Sequence, residues 1–153
     1  MRTSTSIPRI YADDRGLKHG ELTDKLIGIF FDIYNELGHG FLESVYEQAF
    51  SIALAENEIF FRRQIAVPVW YHEQQIGDFR ADLMVEGKVI IELKAGRGID
   101  PGWEKQLLNY LRATEIEVGL LFNFGPEAQF RRYIFENDRK KIRENLCASA
   151  EGK

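Results

Sequence analysis

The segment Lys88-Val89-Ile90-Ile91-Glu92-Leu93-Lys94 sets an acid inside an apolar run, and Asp82 precedes it in Arg80-Ala81-Asp82-Leu83-Met84-Val85. Charged side chains are poor interior strand residues unless exposed, paired or bound to a metal. Alternation puts Leu83 and Val85 on one strand face, and Val89, Ile91 and Leu93 on one face of the next. If those apolar sets share the core side, Asp82, Glu92 and Lys94 fall together on the other. The turn must agree. A two-residue Glu86-Gly87 loop would pair Asp82 with Ile91 and set the two acids on opposite faces. A three-residue Glu86-Gly87-Lys88 loop pairs Asp82 with Glu92 directly. Opposed side chains start about 5 Å apart at Cβ, close enough for two carboxylates to share one cation. Spacing alone leaves a second reading open, in which these are solvent-facing strand charges and Lys94 neutralises the acids.

The elements that must position these residues are legible from period. Leu22, Leu26, Ile29, Phe30, Ile33, Tyr34 and Leu37 mark a helix face that Gly38 terminates. After the turn Gly38-His39-Gly40, the positions Leu42, Tyr46, Ala49, Phe50, Ala53 and Leu54 predict a second helix ending near Asn57. Ile65, Val67, Val69 and Tyr71 then alternate as a strand, ahead of a polar turn His72-Glu73-Gln74-Gln75. Residues Ile76 to Val85 and Lys88 to Lys94 complete a three-stranded antiparallel meander. Asp100-Pro101 starts a third helix with the stripe Trp103, Leu107, Tyr110 and Leu111. Val118 to Phe124 reads as a buried strand, residues 130 to 135 as a further strand, and Asp138 to Leu146 as a charged terminal helix.

With 20 Lys and Arg against 24 Asp and Glu the chain carries a formal charge of −4, and its 153 residues fit one domain. A chain of this size buries roughly 70% of its unfolded surface, so it needs no metal or disulfide in order to fold. Cys147 is the single cysteine, which excludes an internal disulfide and a multi-cysteine zinc site. No apolar run approaches the roughly 20 residues of a membrane span. A cytoplasmic protein without membrane association is expected. The acidity weighs against a general nucleic-acid coat, although residues 61 to 153 carry the greater share of the basic side chains.

Gly40-Phe41-Leu42-Glu43-Ser44-Val45-Tyr46 matches the motif that names the GxxExxY family, a branch of the PD-(D/E)xK nuclease-like superfamily. Asp82 followed by Glu92-Leu93-Lys94 resembles that superfamily's Asp and ExK signature, with Ala81 where it often has Pro. Gln106-Leu107-Leu108-Asn109-Tyr110 resembles the QxxxY motif of RecB-like exonucleases, and Gly119 to Gly125 is similar to the strand and turn that close the family domain. The resemblance runs from Glu21 to Gly125 with its motifs in order.

It implies an α/β protein in α+β order with a restriction-endonuclease-like core, a central mixed sheet flanked by helices. The expected organisation is a loose arm over residues 1–20, the nuclease-like domain over 21–135 and a charged helix and tail over 136–153. Asp82, Glu92 and Glu43 are then the expected metal ligands, with Lys94 and Gln106 completing the catalytic set. Mg²⁺ suits such donors, with Mn²⁺ as the alternative, because Mg²⁺ takes one or two carboxylates and keeps waters and substrate phosphate. Tyr46, Tyr110 and Arg97 are expected to contact substrate.

Blander readings stand beside three of these: helix-start stabilisation for Glu43, core packing for Tyr46, and an ordinary amphipathic helix for Tyr110. The implied activity is metal-dependent phosphodiester hydrolysis of nucleic acid, DNA ahead of RNA, with room for a homodimer or partner protein to complete the groove. The competing reading is a catalytically silent nuclease-fold module that binds nucleic acid or a protein partner.

Overall fold

The computed structural model describes residues 18–140. Helix α1 (Gly20–Leu37) buries Leu26, Ile29, Phe30 and Ile33, the positions its apolar period selects. It stops at Gly38, whose φ of 71° suits glycine and whose N–H closes onto the Tyr34 carbonyl. Helix α2 (Glu43–Glu56) follows. Its predicted stripe holds for Tyr46, Phe50 and Leu54, but Leu42 sits at the N-cap and is 77% exposed.

Strands β1 (Phe61–Tyr71) and β2 (Gln74–Val85) form a long hairpin. Its turn is tighter than the polar run suggested, since His72 and Glu73 alone make it, both at positive φ. A two-residue loop with both residues left-handed matches the twist of the flanking strands. Gln74 and Gln75 carry no apolar signal, yet their backbones pair with Tyr71 and Trp70. Strand β3 (Val89–Lys94) returns antiparallel through the three-residue turn Glu86-Gly87-Lys88, with Val85 opposite Val89 and Leu83 opposite Ile91.

Helix α3 (Pro101–Arg112) begins where Asp100 accepts the Gly102 N–H at 2.7 Å, with Pro101 in its first turn. It crosses over to β4 (Val118–Phe124), which lies parallel to β3, and β5 (Ala128–Ile134) closes the sheet antiparallel to β4. The result is one mixed five-stranded sheet in the order β1-β2-β3-β4-β5, flanked by helices. A short 3₁₀ turn at Asn137–Arg139 occupies the start of the predicted terminal helix. The rest of that helix, and the arm before residue 18, lie outside the described residues. Among the described residues no helix is long and apolar enough to cross a membrane.

Both sheet faces are covered. Leu83, Val85, Val89, Ile91 and Leu93 pack with Val118, Leu120, Phe122 and Phe124 under α1 and α2. Ile90 and Leu121 pack on the opposite side against Leu107, Tyr110 and Leu111 of α3. Every residue of β4 is therefore buried, as expected of a strand sandwiched between helical layers. Aromatic stacking joins the first layer: Phe30 on Phe122 at 4.5 Å and Tyr46 on Phe124 at 4.0 Å between ring centroids. Each such pair contributes about 0.5–1.5 kcal/mol beyond its burial.

Regular alternation is interrupted by a register shift between Val69 and Trp70 near the hairpin tip, and again nearer the carboxylates. Ala81 packs under α3, whereas Leu83, two residues on, packs under α1 and α2. Across the ladder, Phe61 lies on the α1–α2 side and Ile65 on the α3 side. Between them Gln64 has φ 51°. The hairpin thus changes face at Gln64 and Asp82.

The turn after β4 is equally constrained. A Cβ on Gly125 would stand 1.9 Å from the Gly96 carbonyl oxygen, whereas one on Gly98 would meet nothing within 4 Å. Gly125→Ala is expected to lower stability by about 2–4 kcal/mol, and Gly98→Ala to change it by less than about 0.5 kcal/mol. Urea midpoints check both. Equal midpoints for the two variants would contradict this packing.

Candidate active site

Asp82 and Glu92 meet where β2 leaves β3. Continuing the observed register beyond Leu83 and Ile91 sets them opposite one another. The backbone ladder gives way there to side chains. The Leu93 N–H donates to Asp82 Oδ2 at 2.8 Å, and the Asp82 N–H donates to Glu92 Oε2 at 3.3 Å. Each carboxylate thus receives a main-chain donor from the other's strand, and keeps its second oxygen for another partner.

The solvent-facing reading does not hold for Glu92, which is 2% exposed under α3. Burial raises its pKa, the facing Asp82 carboxylate raises it further, and together they push it up to about 9 against the partial relief from Lys94. Asp82 is raised too, by burial first. The Leu93 N–H pulls it back, and the charges of Glu47 and Glu43 add to the rise. Two acids in one low-dielectric site resist ionising together.

Lys94, two residues beyond Glu92 on the same strand face, reaches α3. Its Nζ donates to Gln106 Oε1 at 3.5 Å and stands 5.7 Å from the centre of the Trp103 ring. Gln106 Nε2 donates to the Tyr110 hydroxyl at 3.1 Å, and that hydroxyl donates to the Arg80 carbonyl at 2.9 Å. The four-residue spacing of Gln106 and Tyr110 makes this contact along one helix face. Tyr110 is 1% exposed and meets Gln106 through its hydroxyl. The loop after Lys94 is fixed by Asn123, which accepts the Gly96 N–H at 2.8 Å and donates to the Gly96 carbonyl at 3.0 Å.

The remaining expected residues are less uniform. Glu43 stands exposed in the first turn of α2, near enough for its charge to raise the pKa of both Asp82 and Glu92. Tyr46 is fully buried in the aromatic core, where its hydroxyl donates to the Gly38 carbonyl at 2.7 Å. It braces the turn ahead of Glu43, away from the carboxylate pair. Arg97 is exposed on the loop between β3 and α3.

Two residues with no forecast role join the site. Glu47, one turn beyond Glu43, is 8% exposed and accepts from Arg63 Nε at 3.0 Å and Gln64 Nε2 at 2.9 Å. Gln64 Nε2 also lies 3.5 Å from Asp82 Oδ1. The i to i+4 relation with Glu43 was a usable signal for Glu47. Nothing in the pattern around Gln64 marked its backbone as left-handed.

A divalent cation suits these donors. Asp82 Oδ1 and Glu92 Oε1 are oxygens without a main-chain donor among the described residues, and the two acids, once both ionised, would carry more negative charge than Lys94 balances. Among the described residues no three His, Cys, Asp or Glu side chains cluster tightly enough to form a complete cage. Mg²⁺ does not require one, since waters and substrate phosphate fill its other positions.

The sequence profile of the PD-(D/E)XK nuclease superfamily matches residues 20–133. The chain belongs to the PD-(D/E)XK nuclease superfamily. The match spans α1 through β5 and takes in every residue placed at the site above. Among solved structures, the crystal structure of SSO0001 aligns with a TM-score of 0.51 at 16% identity, covering 72% of this chain and 58% of that one. The chain thus spans less than two thirds of SSO0001, and the likeness is one of fold. An alkaline exonuclease, LHK-Exo from Laribacter hongkongensis, aligns at TM-score 0.47 and 11% identity over 85% of this chain and 78% of that one, too loosely to carry weight. No curated protein matches the chain in sequence.

In this PD-(D/E)XK domain, Glu92 protonation has a defined sign. Its folded pKa lies above the ordinary 4.5, so its contribution to stability is full below that value and is lost as pH rises toward about 9. Glu92→Gln removes the loss. In metal-free buffer the variant is expected to match the parent near pH 4.5 and to exceed it by about 1–3 kcal/mol near pH 8. Denaturant melts across that range check this. A variant-to-parent difference independent of pH would contradict it.

Proposed function

We propose that this chain is a metal-dependent phosphodiester hydrolase acting on nucleic acid, DNA ahead of RNA, within the GxxExxY branch of its superfamily. The carrying observation is the pairing of half-buried Asp82 with buried Glu92, crossed by reciprocal main-chain hydrogen bonds, with Lys94 beside it. Asp82 and Glu92 would hold Mg²⁺ or Mn²⁺, with Glu43 adding charge from the start of α2. When bound, such an ion polarises a phosphoryl oxygen and lowers the pKa of a coordinated water.

Lys94 orients the attacking water and balances the charge that builds on the phosphate. Gln106 steadies the Lys94 ammonium, and Tyr110 fixes Gln106 from its anchor on the Arg80 carbonyl. Arg97, exposed on the loop after β3, offers a phosphate contact. Tyr46 acts at one remove, by holding the turn that presents Glu43. The functional unit is the domain over residues 21–135, working in the cytoplasm. Because the chain is acidic overall, a second copy or a partner protein supplies part of the substrate affinity.

The test uses the full chain and its Lys94→Ala variant with single- and double-stranded DNA and RNA, in Mg²⁺, Mn²⁺ or chelator. DNA cleavage is expected with metal, abolished by chelator and lowered about 100-fold or more in the variant. Cleavage at the parental rate in Lys94→Ala would remove the lysine from the mechanism. Retention of intact nucleic acid with no cleavage in any metal would instead identify a silent binding module.

A further inference from the structure

Gln64 combines three features that no motif explains. It is a non-glycine residue at φ 51° inside a strand, a conformation that costs free energy and persists where the surroundings impose it. No residue is inserted there, because Arg63 opposite Leu83 and Ile65 opposite Ala81 keep one register through it. Asp82 therefore lies directly across from Gln64, at the point where the hairpin changes face.

The second feature is what the side chain touches. Gln64 Nε2 is 2.9 Å from Glu47 Oε1 and 3.5 Å from Asp82 Oδ1. A side-chain amide nitrogen carries two hydrogens, so one group can donate to both carboxylates. Glu47 is anchored on its other oxygen by Arg63 Nε at 3.0 Å, and Arg63 Nη1 is tied in turn to Gln48 Oε1 at 3.1 Å. Thirdly, the Gln64 carbonyl accepts from Arg80 Nη1 at 3.1 Å, which braces the kinked backbone from β2.

We propose that Gln64 is the positioning residue for Asp82. Its left-handed backbone aims the amide between Glu47 and Asp82, separating two like charges and holding Asp82 Oδ1 while the Leu93 N–H holds Oδ2. This rests on the reading of Asp82 and Glu92 as the metal pair. An unsupported Asp82 would swing away from Glu47 and spend binding free energy on returning. Partners in this outer position ordinarily change metal affinity by about 10–100-fold.

Gln64→Gly separates the bridge from the fold, because glycine adopts positive φ without strain. Binding of Mn²⁺ by the full-length parent and variant is measured by calorimetry, and thermal unfolding by circular dichroism in chelator. The variant is expected to melt at or above the parental temperature without metal, yet to bind Mn²⁺ about 10-fold more weakly. Adding Glu47→Gln to it should recover much of that loss, since the repelling charge is gone. Unchanged Mn²⁺ affinity in Gln64→Gly overturns the proposal, and so does a lowered melting temperature with parental affinity. A parent that binds no Mn²⁺ overturns the metal-pair reading, and this inference with it.

Discussion

Two carboxyl groups face one another across neighbouring strands, Glu92 almost wholly enclosed and Asp82 half-buried, and much of the molecule is arranged around that fact. In bulk solvent Asp82 and Glu92 would repel weakly. Under α3 the same charges interact in a low effective dielectric, and Glu92 resists ionising. What holds the pair is not mutual attraction but the crossed hydrogen bonds from the Leu93 and Asp82 amides. Those donors are available because the β2–β3 ladder ends at Leu83 and Ile91. A sheet that continued its regular pairing would have used both amides for carbonyls.

The turn sets this geometry from a distance. Glu86 and Gly87 both take positive φ, and Lys88 completes a three-residue connection that places Val85 opposite Val89. A slip of one residue would carry Glu92 to the face packed under α1 and α2, among Ile91, Leu93 and Phe122. The face change at Gln64 and Asp82 adds a second requirement. It lets the outer hairpin pack on α3 through Ile65, Val67 and Phe79, while the inner hairpin packs on α1 and α2 through Phe61, Leu83 and Val85. Asp82 lies at the crossing point, within reach of α2 residues as well as of β3.

Much of this was legible because it follows from period and turn chemistry. The stripes of α1 and α3, the Asp100-Pro101 start, the Gly38 stop and the pairing of Asp82 with Glu92 all express local rules that burial reinforces. The misses have physical causes as well. Gln74 and Gln75 pair through backbone alone, so no apolar alternation announced them. Leu42 fits the helical stripe but falls on the cap, where its side chain turns outward. Glu47 and Gln64 matter through a tertiary meeting of α2, β1 and β2, and Gln64 depends on a dihedral angle that no composition encodes. Tyr46 matched its motif, but burial decided its role, since a residue stacked 4.0 Å from Phe124 has no face left for a ligand.

The link from α3 to Lys94 has a direction that hydrogen-bond accounting fixes. A phenol has one hydrogen to donate, and Tyr110 gives it to the Arg80 carbonyl. Its oxygen must then accept from Gln106, which commits the amide nitrogen to Tyr110 and turns the amide oxygen toward the lysine. The reverse orientation would set an NH₂ group against an ammonium. Arg80 is thereby a common node, its carbonyl anchoring the Tyr110 relay and its guanidinium bracing Gln64. Lys94, through Gln106 and Tyr110, and Gln64, through its carbonyl, are therefore tied to one stretch of β2. A displacement of that stretch would disturb both at once, coupling the geometry of the acids to the orientation of the lysine.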